Sequence, residues 1–157
     1  MSRSILRQPA WADAGSAIVE LSVVLPMLVI VMVGTIDMAR VFYTAMELTN
    51  AARAGAQFGA ANLGNSANAS QMQTVALAAV NITGVAAVAS SPVCECAADD
   101  GSSFAATSCT STTCPGGQHR VITVSVTTST TFNLIMPSVL PFASIPLSRT
   151  TTLRVSE

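Results

Sequence analysis

The stretch that decides the fold is GSAIVELSVVLPMLVIVMVGTI, residues 15–36. Residues 17–36 are 20 in number, and Glu20 is the only ionisable one among them. As an α-helix this run is about 30 Å long, which is the thickness of the hydrocarbon core of a bilayer. The stretch therefore predicts a membrane-spanning helix with a single carboxylate near its N-terminal end.

The composition agrees with one membrane helix followed by one modest exterior domain. Half of the 157 residues are hydrophobic, 10% are charged, and the net charge is −1. This balance excludes the basic surface that binding to nucleic acid requires. About 120 residues follow the apolar run, which is enough for one small domain.

A cleaved secretory signal peptide is the alternative interpretation of the N-terminal segment. The apolar run exceeds the roughly 7–15 residues of a signal-peptide core, and no convincing cleavage site follows it. A retained helix is therefore the favoured interpretation. Arg3 and Arg7 precede the run and predict a cytoplasmic N-terminus, with the remaining chain on the periplasmic side of the inner membrane.

The start of the run resembles a type IV prepilin processing site, because a hydrophilic leader is followed by Gly15, the small Ser16 and Glu20. Over roughly residues 15–60 the chain resembles the TadE-like family of the tight-adherence (Tad/Flp) pilus system. The matching features occur in the family's order and spacing: Val19-Glu20, Leu25-Pro26, Gly34, Arg40 and the block TNAARAGA at residues 49–56.

The resemblance implies a minor pilin or pseudopilin that takes part in assembling a Tad-type adhesive pilus. Its implied partners are a prepilin peptidase, other minor or major pilins, the pilus assembly platform and a separate ATPase. The chain has no P-loop of its own, which agrees with an external source of energy. Neither a cofactor nor a metal is implied. The implied location is the inner membrane, crossed once, or a surface pilus into which the subunit is incorporated.

Cleavage between Gly15 and Ser16 would remove the leader, residues 1–15, and create an α-amino group on Ser16. We expect this ammonium to pair with the Glu20 carboxylate of a neighbouring subunit, which would offset the burial cost of both charges and set the axial register. The alternative is a plain signal anchor in which the Glu20 side chain reaches the membrane interface.

The helix is expected to continue beyond the span of residues 16–36 into an extracytoplasmic extension, residues 37–61. Pro26 lies inside the apolar run and predicts a kink. Small residues recur every four positions and predict close helix packing, either on the chain's own exterior domain or on a partner pilin. The residues assigned to helix packing are Gly34, Arg40, Ala51, Arg53, Gly55 and Gly59.

The exterior domain, residues 62–157, is predicted to be α+β and pilin-like. A break at residues 63–66 is followed by a second helix at residues 68–81. Alternating patterns predict strands at residues 85–93, 119–132 and 148–155, joined in part by a loop or helical turn at residues 133–141. Three or four antiparallel strands against the long helix are expected.

Four cysteines in this exported domain predict two disulfides. Cys94 and Cys96 share a face of a strand, and a bridge between them would be strained. The pairings that remain are Cys94–Cys114 with Cys96–Cys109, or Cys94–Cys109 with Cys96–Cys114. We favour the first, nested pairing because it suits a hairpin-like loop. A four-thiolate zinc site is the rival interpretation, although its ligand spacing would be unusual.

The sequence offers little support for catalysis. His119 is the only histidine, and a Ser-His-Asp arrangement would need Asp99 or Asp100 with a serine outside any G-x-S-x-G context. A structural pilus component is therefore the favoured function. The second function class is a membrane-anchored extracytoplasmic binding module unrelated to pili.

Overall fold

The computed structural model of the chain describes the backbone of residues 11–101, 104–110, 113–135 and 143–156. The fold is α+β, as predicted: a long apolar N-terminal helix is followed by a domain with a small antiparallel sheet. The chain divides into two compact units between Ala39 and Arg40. We call them the N-terminal unit and the C-terminal unit.

Helix α1 extends over Trp11–Ala60 and contains 50 residues. Its rise per residue gives a length of about 75 Å. The helix is continuous through Pro26, which has no backbone N–H and so leaves the carbonyl of Ser22 without its intrahelical donor. The C-terminal end agrees within one residue with the predicted end of the helical extension.

Two short helices follow, α2 at Leu63–Ser66 and α3 at Ala69–Ala78. Asparagine side chains cap both of them. Asn62 Oδ1 accepts from the Asn65 amide at 2.8 Å, and Asn68 Oδ1 accepts from the Gln71 amide at 3.1 Å. The long helix breaks before residues 63–66, as predicted, and the cap at Asn62 allows one separate helical turn to form there.

The sheet has five strands, more than the three or four predicted. They are β1 (Ala86–Ala89), β2 (Val93–Ala97), β3 (Phe104–Ala106), β4 (His119–Asn133) and β5 (Ser144–Arg154). The long β4 is central: it pairs with β5 along one edge and with β1 and β2 along the other, while β3 pairs with β2. All pairs are antiparallel.

The strand predicted for residues 85–93 contains β1 and ends at the first residue of β2, and a bulge separates these two strands. The β1 pairing ends at Ala89 opposite Val126, and the β2 pairing begins at Val93 opposite Thr123. The register therefore shifts by one residue, so one extra residue is accommodated at residues 90–92. Pro92 lies in this bulge, where its missing N–H costs no ladder hydrogen bond.

The core of the C-terminal unit forms where α1 and α3 pack against alternate residues of β4. The buried face of β4 presents Ile122, Val124, Val126 and Thr128. The residues of α1 that have no exposed surface are Leu48 and the small Ala51, Ala52 and Ala56, while Phe58 packs against the core and is partly buried. The small-residue strip of α1 thus packs on the chain's own domain, the first of the two alternatives considered.

Two glycines set how closely the elements approach. A Cβ added at Gly55 would lie 2.7 Å from the backbone oxygen of Met72 and 2.9 Å from Cβ of Ala76, both on α3. A Cβ added at Gly59 would collide with the sulfur of Met72. No larger residue fits at Gly55 without moving the α3 backbone.

Strand β4 runs in the direction opposite to α1. The buried Thr128 hydroxyl donates to the Leu48 carbonyl at 2.8 Å. Four residues later, the Phe132 ring lies beneath the Arg40 guanidinium, 5.0 Å from ring centroid to Cζ. The C-terminal end of β4 is therefore placed beside Arg40, where the C-terminal unit begins.

We predict that Gly55→Ala destabilises the C-terminal unit by about 1–3 kcal/mol, because the new methyl group meets the α3 backbone. The measurement is the thermal unfolding midpoint of the detergent-solubilised chain, followed by circular dichroism. Gly34→Ala is the matched control, since nothing lies within 4 Å of that position. Unfolding midpoints that are equal in the two variants would contradict the close approach.

Candidate functional site

The N-terminal unit offers a helical surface suited to lipid. The helix assigned as a candidate span, Ala17–Ala60, reaches a mean hydropathy of 2.5 over an 18-residue window that has no buried residue. By length and composition this helix could cross a membrane. Its exposed side chains are large and aliphatic, for example Ile18, Val23 and Met27.

Polar groups in the apolar run are satisfied by their own helix, with one exception. The Ser22 hydroxyl donates to the Val19 carbonyl at 2.7 Å, and the Thr35 hydroxyl donates to the Val31 carbonyl at 2.8 Å. Such bonds allow hydroxyls to enter hydrocarbon. Among the described side chains of residues 17–36, the exposed Glu20 carboxylate is the polar group that has no hydrogen bond.

Gly15, Ser16 and Glu20 lie on one helical segment. Ser16 and Glu20 are four residues apart, so their backbone positions fall on the same face of α1. Nothing lies within 4 Å of the position that a Cβ would take at Gly15. The segment therefore has an accessible glycine, Gly15, five residues before Glu20, the only carboxylate of the apolar run.

The residues predicted to pack the helix have different environments. Ala51, Gly55 and Gly59 are buried inside the C-terminal unit. The remaining three are exposed: a Cβ added at Gly34 would meet nothing within 4 Å, Arg53 faces solvent, and Arg40 covers Phe132.

All four cysteines are in disulfides, as predicted, but the favoured nested pairing was wrong. Cys94 bonds to Cys109, and Cys96 bonds to Cys114. This is the second of the two pairings that the spacing allowed. None of the four is a free thiolate, so the zinc interpretation does not hold. Within the described residues, no cluster of three or more His, Cys, Asp or Glu side chains could hold a metal.

The path of the chain explains the pairing. Strand β3 leads back along β2, where the Thr107 amide donates to the Cys94 carbonyl at 2.9 Å, so Cys109 arrives beside Cys94. The chain then returns toward the other end of β2, because His119 begins β4 opposite Ala97. Cys114, five residues before His119, consequently meets Cys96.

His119 has a structural environment at the edge of this disulfide-linked segment. Its Nδ1 lies 3.0 Å from Oδ1 of Asp99, and both side chains are exposed to solvent, 42% and 88% respectively. In the described part of the chain, no serine hydroxyl hydrogen-bonds to this imidazole. The contact joins the turn after β2 to the first residue of β4 and does not form a Ser-His-Asp arrangement.

Three contacts of the C-terminal unit do not follow from any local pattern in the sequence. Met72 fills the space beside both packing glycines, Thr128 connects β4 to α1, and Phe132 supports Arg40. Thr128 belongs to the predicted alternation with Ile122, Val124 and Val126, but its bond to Leu48 joins distant parts of the chain. The contact of Phe132 with Arg40 joins residues far apart in sequence and left no local signal.

In the described part of the chain, these features define one helix compatible with a membrane and a disulfide-linked α+β domain. A family model described as TadE-like protein matches residues 15–57, which are 43 of the 157 residues. The match confirms the predicted resemblance: this segment of the chain is TadE-like. No curated protein and no solved structure shows a significant match to the chain.

We predict that non-reducing peptide mapping will yield Cys94–Cys109 and Cys96–Cys114. Cleavage after Glu95 separates the first two cysteines, and tandem fragmentation between residues 109 and 114 separates the others. Fragments that link Cys94 to Cys114 would contradict the observed chain path.

We also expect Cys94→Ser with Cys109→Ser to lower the free energy of unfolding by about 3 kcal/mol, from the loop that the bond closes.

Proposed function

We propose that this chain is a minor pilin or pseudopilin of a Tad-type pilus, with a structural rather than an enzymatic role. The observation that carries the proposal is the TadE-like match, which coincides with the segment containing Gly15, Ser16 and Glu20. The apolar helix that holds these residues supports a location in the membrane.

Processing is the first step of the proposed function. A prepilin peptidase cleaves between Gly15 and Ser16 and removes residues 1–15, including Arg3 and Arg7. Glycine suits the position before the cut, because it has no side chain to obstruct approach to the backbone and it is a poor helix former. The product begins with an ammonium group on Ser16, one helical turn from Glu20.

The new ammonium group gives Glu20 a partner. A carboxylate costs about 2.5–3.5 kcal/mol at the centre of a membrane helix and less near its end. Glu20 is exposed on α1, so another subunit can reach it. Pairing of Glu20 with the Ser16 ammonium of a neighbour lowers this cost for both charges and favours one axial offset between subunits.

The topology follows from the charges beside the run. Arg3 and Arg7 keep the unprocessed N-terminus in the cytoplasm, and the C-terminal unit lies in the periplasm or on an assembled pilus. Disulfides in the C-terminal unit support an oxidising compartment.

The proposed partners are the peptidase, other pilins, the assembly platform and a separate ATPase. Pro26 would provide a point where the helix loosens within a bundle of subunits.

We predict that co-expression with a prepilin peptidase yields a mature chain that begins at Ser16. N-terminal sequencing and intact mass of the purified protein provide the measurement. Gly15→Leu should remain uncleaved, because its side chain blocks access to the bond. Gly34→Ala, which alters a glycine farther along the same helix, should be processed normally.

Two other results would favour different functions. An intact Met1 in the presence of active peptidase would indicate a membrane-anchored binding module. A chain that begins near residue 40 would indicate a cleaved secretory signal peptide.

We predict that Glu20→Gln leaves membrane insertion intact and abolishes piliation, since the amide keeps the shape of the side chain and removes its charge. Membrane fractionation and electron microscopy of the cell surface provide the two readouts. Glu47→Gln is the matched control on the same helix, because its amide oxygen can still accept the hydrogen bond from Asn81 N. Normal piliation of the Glu20→Gln cells would refute the proposed pairing.

A further inference from the structure

The outer edge of β5 is open to another strand. Among the described strands, β5 pairs only with β4. At one end of this ladder Val155 N donates to the Ile122 carbonyl at 2.8 Å, and at the other end Leu134 N donates to the Ala143 carbonyl at 3.2 Å. Because backbone groups alternate in direction along an antiparallel strand, the odd-numbered residues of β5 bond to β4 and the even-numbered residues direct their N–H and C=O groups outward.

The sequence of β5 suits an edge that can be extended. Pro146 is even-numbered, so its missing N–H faces outward and costs no bond of the ladder. From Ser148 to Arg154 the strand has no proline, glycine or bulge and contains three consecutive threonines, which have high β-propensity. Within the described part of the chain, no hydrogen bond reaches the outward backbone groups of Thr150 and Thr152. Such a row of donors and acceptors is a template for a further strand.

Strand β3 forms an open edge on the opposite side of the sheet, since it pairs only with β2 among the described strands. Thr107 N donates to the Cys94 carbonyl at 2.9 Å, two residues beyond Ala105. By the same alternation Ala105 bonds to β2, whereas Phe104 and Ala106 direct their backbone groups outward. All three residues of β3 are exposed, and the Phe104 ring has 61% of its surface in solvent.

The two edges carry opposite charges. Arg149 and Arg154 are the only ionisable residues of β5, and both are exposed. The chain from β2 through β3 contains three acids, Glu95, Asp99 and Asp100, and no basic residue. Two β5 edges brought together would place four guanidinium groups along one seam, whereas β5 beside β3 brings bases to acids. Charge therefore disfavours the first pairing and favours the second.

The strand directions also match. Strand β3 is antiparallel to β2, β2 is antiparallel to β4, and β4 is antiparallel to β5. Strands β3 and β5 of one chain therefore run in opposite directions. A second copy moved sideways across the sheet, without being inverted, presents its β3 antiparallel to β5, and the antiparallel ladder continues from one copy to the next.

We propose that the β5 edge binds β3 of a second copy of this chain. Each copy in such a pair keeps one unused edge of each kind, so the contact does not close on itself and can repeat as an open-ended array. The proposal concerns only the C-terminal unit and does not rest on the proposed function.

The pairings predict the register of this contact. Through β2 and β4, β3 lies just beyond the end of β5, because Ala106 is level with Val121 whereas Arg154 is level with Thr123. A displacement by four residues, about 13 Å, is the smallest that keeps outward groups opposite outward groups and places all of β3 beside β5. Ala106 of the second copy then faces Thr152.

The same register places Phe104 of the second copy opposite Arg154. A guanidinium beside an aromatic ring is favourable, and this contact would cover the exposed ring. Asp99 and Asp100 lie in the turn that precedes β3, so they come toward the Arg154 end of β5.

The test is disulfide cross-linking between full-length chains in detergent. Ala106→Cys in one chain and Thr152→Cys in a second, differently tagged chain add one thiol each, since the native cysteines are all in disulfides. Both positions are exposed, so neither substitution alters the core. We expect a mixed disulfide dimer on mild oxidation. Val88→Cys with Thr152→Cys is the matched control for random collision, because Val88 on β1 is 63% exposed.

A charge reversal tests the electrostatic part. Arg154→Glu in the Thr152→Cys chain should strongly reduce the mixed dimer, and high salt should reduce it when the arginine is present. Arg53→Glu is the matched control, since Arg53 is an exposed arginine of α1 that lies on neither edge. Peptide mapping of the native disulfides and the thermal unfolding midpoint verify that each variant is folded.

The outcomes are decisive in both directions. Mixed dimers well above the Val88→Cys control, lost with Arg154→Glu but not with Arg53→Glu, support the proposal. Mixed dimers no more abundant than that control overturn it. Predominant Thr152→Cys homodimers overturn it as well, because two β5 edges would then meet. Equal yields from the two glutamate variants contradict the charge match. None of these measurements depends on cleavage after Gly15, so a failure here leaves the proposed function intact.

Discussion

The close approach of α1 to the backbone of α3 at Gly55 is the constraint on which the C-terminal unit depends. A Cβ built at Gly55 would lie only 2.7 Å from the Met72 carbonyl oxygen, and the Met72 side chain occupies the space beside Gly59. Because α1 contributes little more than Ala and Gly at this contact, α3 and β4 can pack on it without a gap. The buried bond from Thr128 to Leu48 then fixes the sheet along the helix.

The two halves of α1 differ in the size of their residues. The run up to Ile36 carries Val, Ile, Leu and Met, which present a large apolar surface and leave Glu20 as its sole charge. The turns from Leu48 to Gly59 bury Ala and Gly, which allow backbones to approach. Lipid fills the space around large side chains easily, whereas protein packing needs complementary surfaces. The processing and pairing proposed for Ser16 and Glu20 thus belong to the N-terminal unit.

The elements with strong periodic patterns were predictable from the sequence, and those set by long-range pairing were not. The long helix, the α3 helix and the strands β4 and β5 follow from composition and alternation within each segment. The bulge at residues 90–92 depends on the register that two strands adopt on β4. The disulfide order likewise depends on the route of the chain around β2, for which the cysteine spacing carries no information. The roles assigned to Gly15, Ser16 and Glu20 come from a local pattern in the sequence and stay predictions.

The two disulfides have a consequence for how stability is distributed along β4. Both lie near its His119 end, where β2 and β3 also pair, while the middle of the strand is held by Thr128 and Val126 in the core. Toward Asn133 the strand pairs only with β5. Amide hydrogens should therefore exchange with solvent in a gradient, slowest beside the cysteines and fastest at the hairpin end. The hairpin end of β4 would be the part of the domain most able to open and adjust its shape.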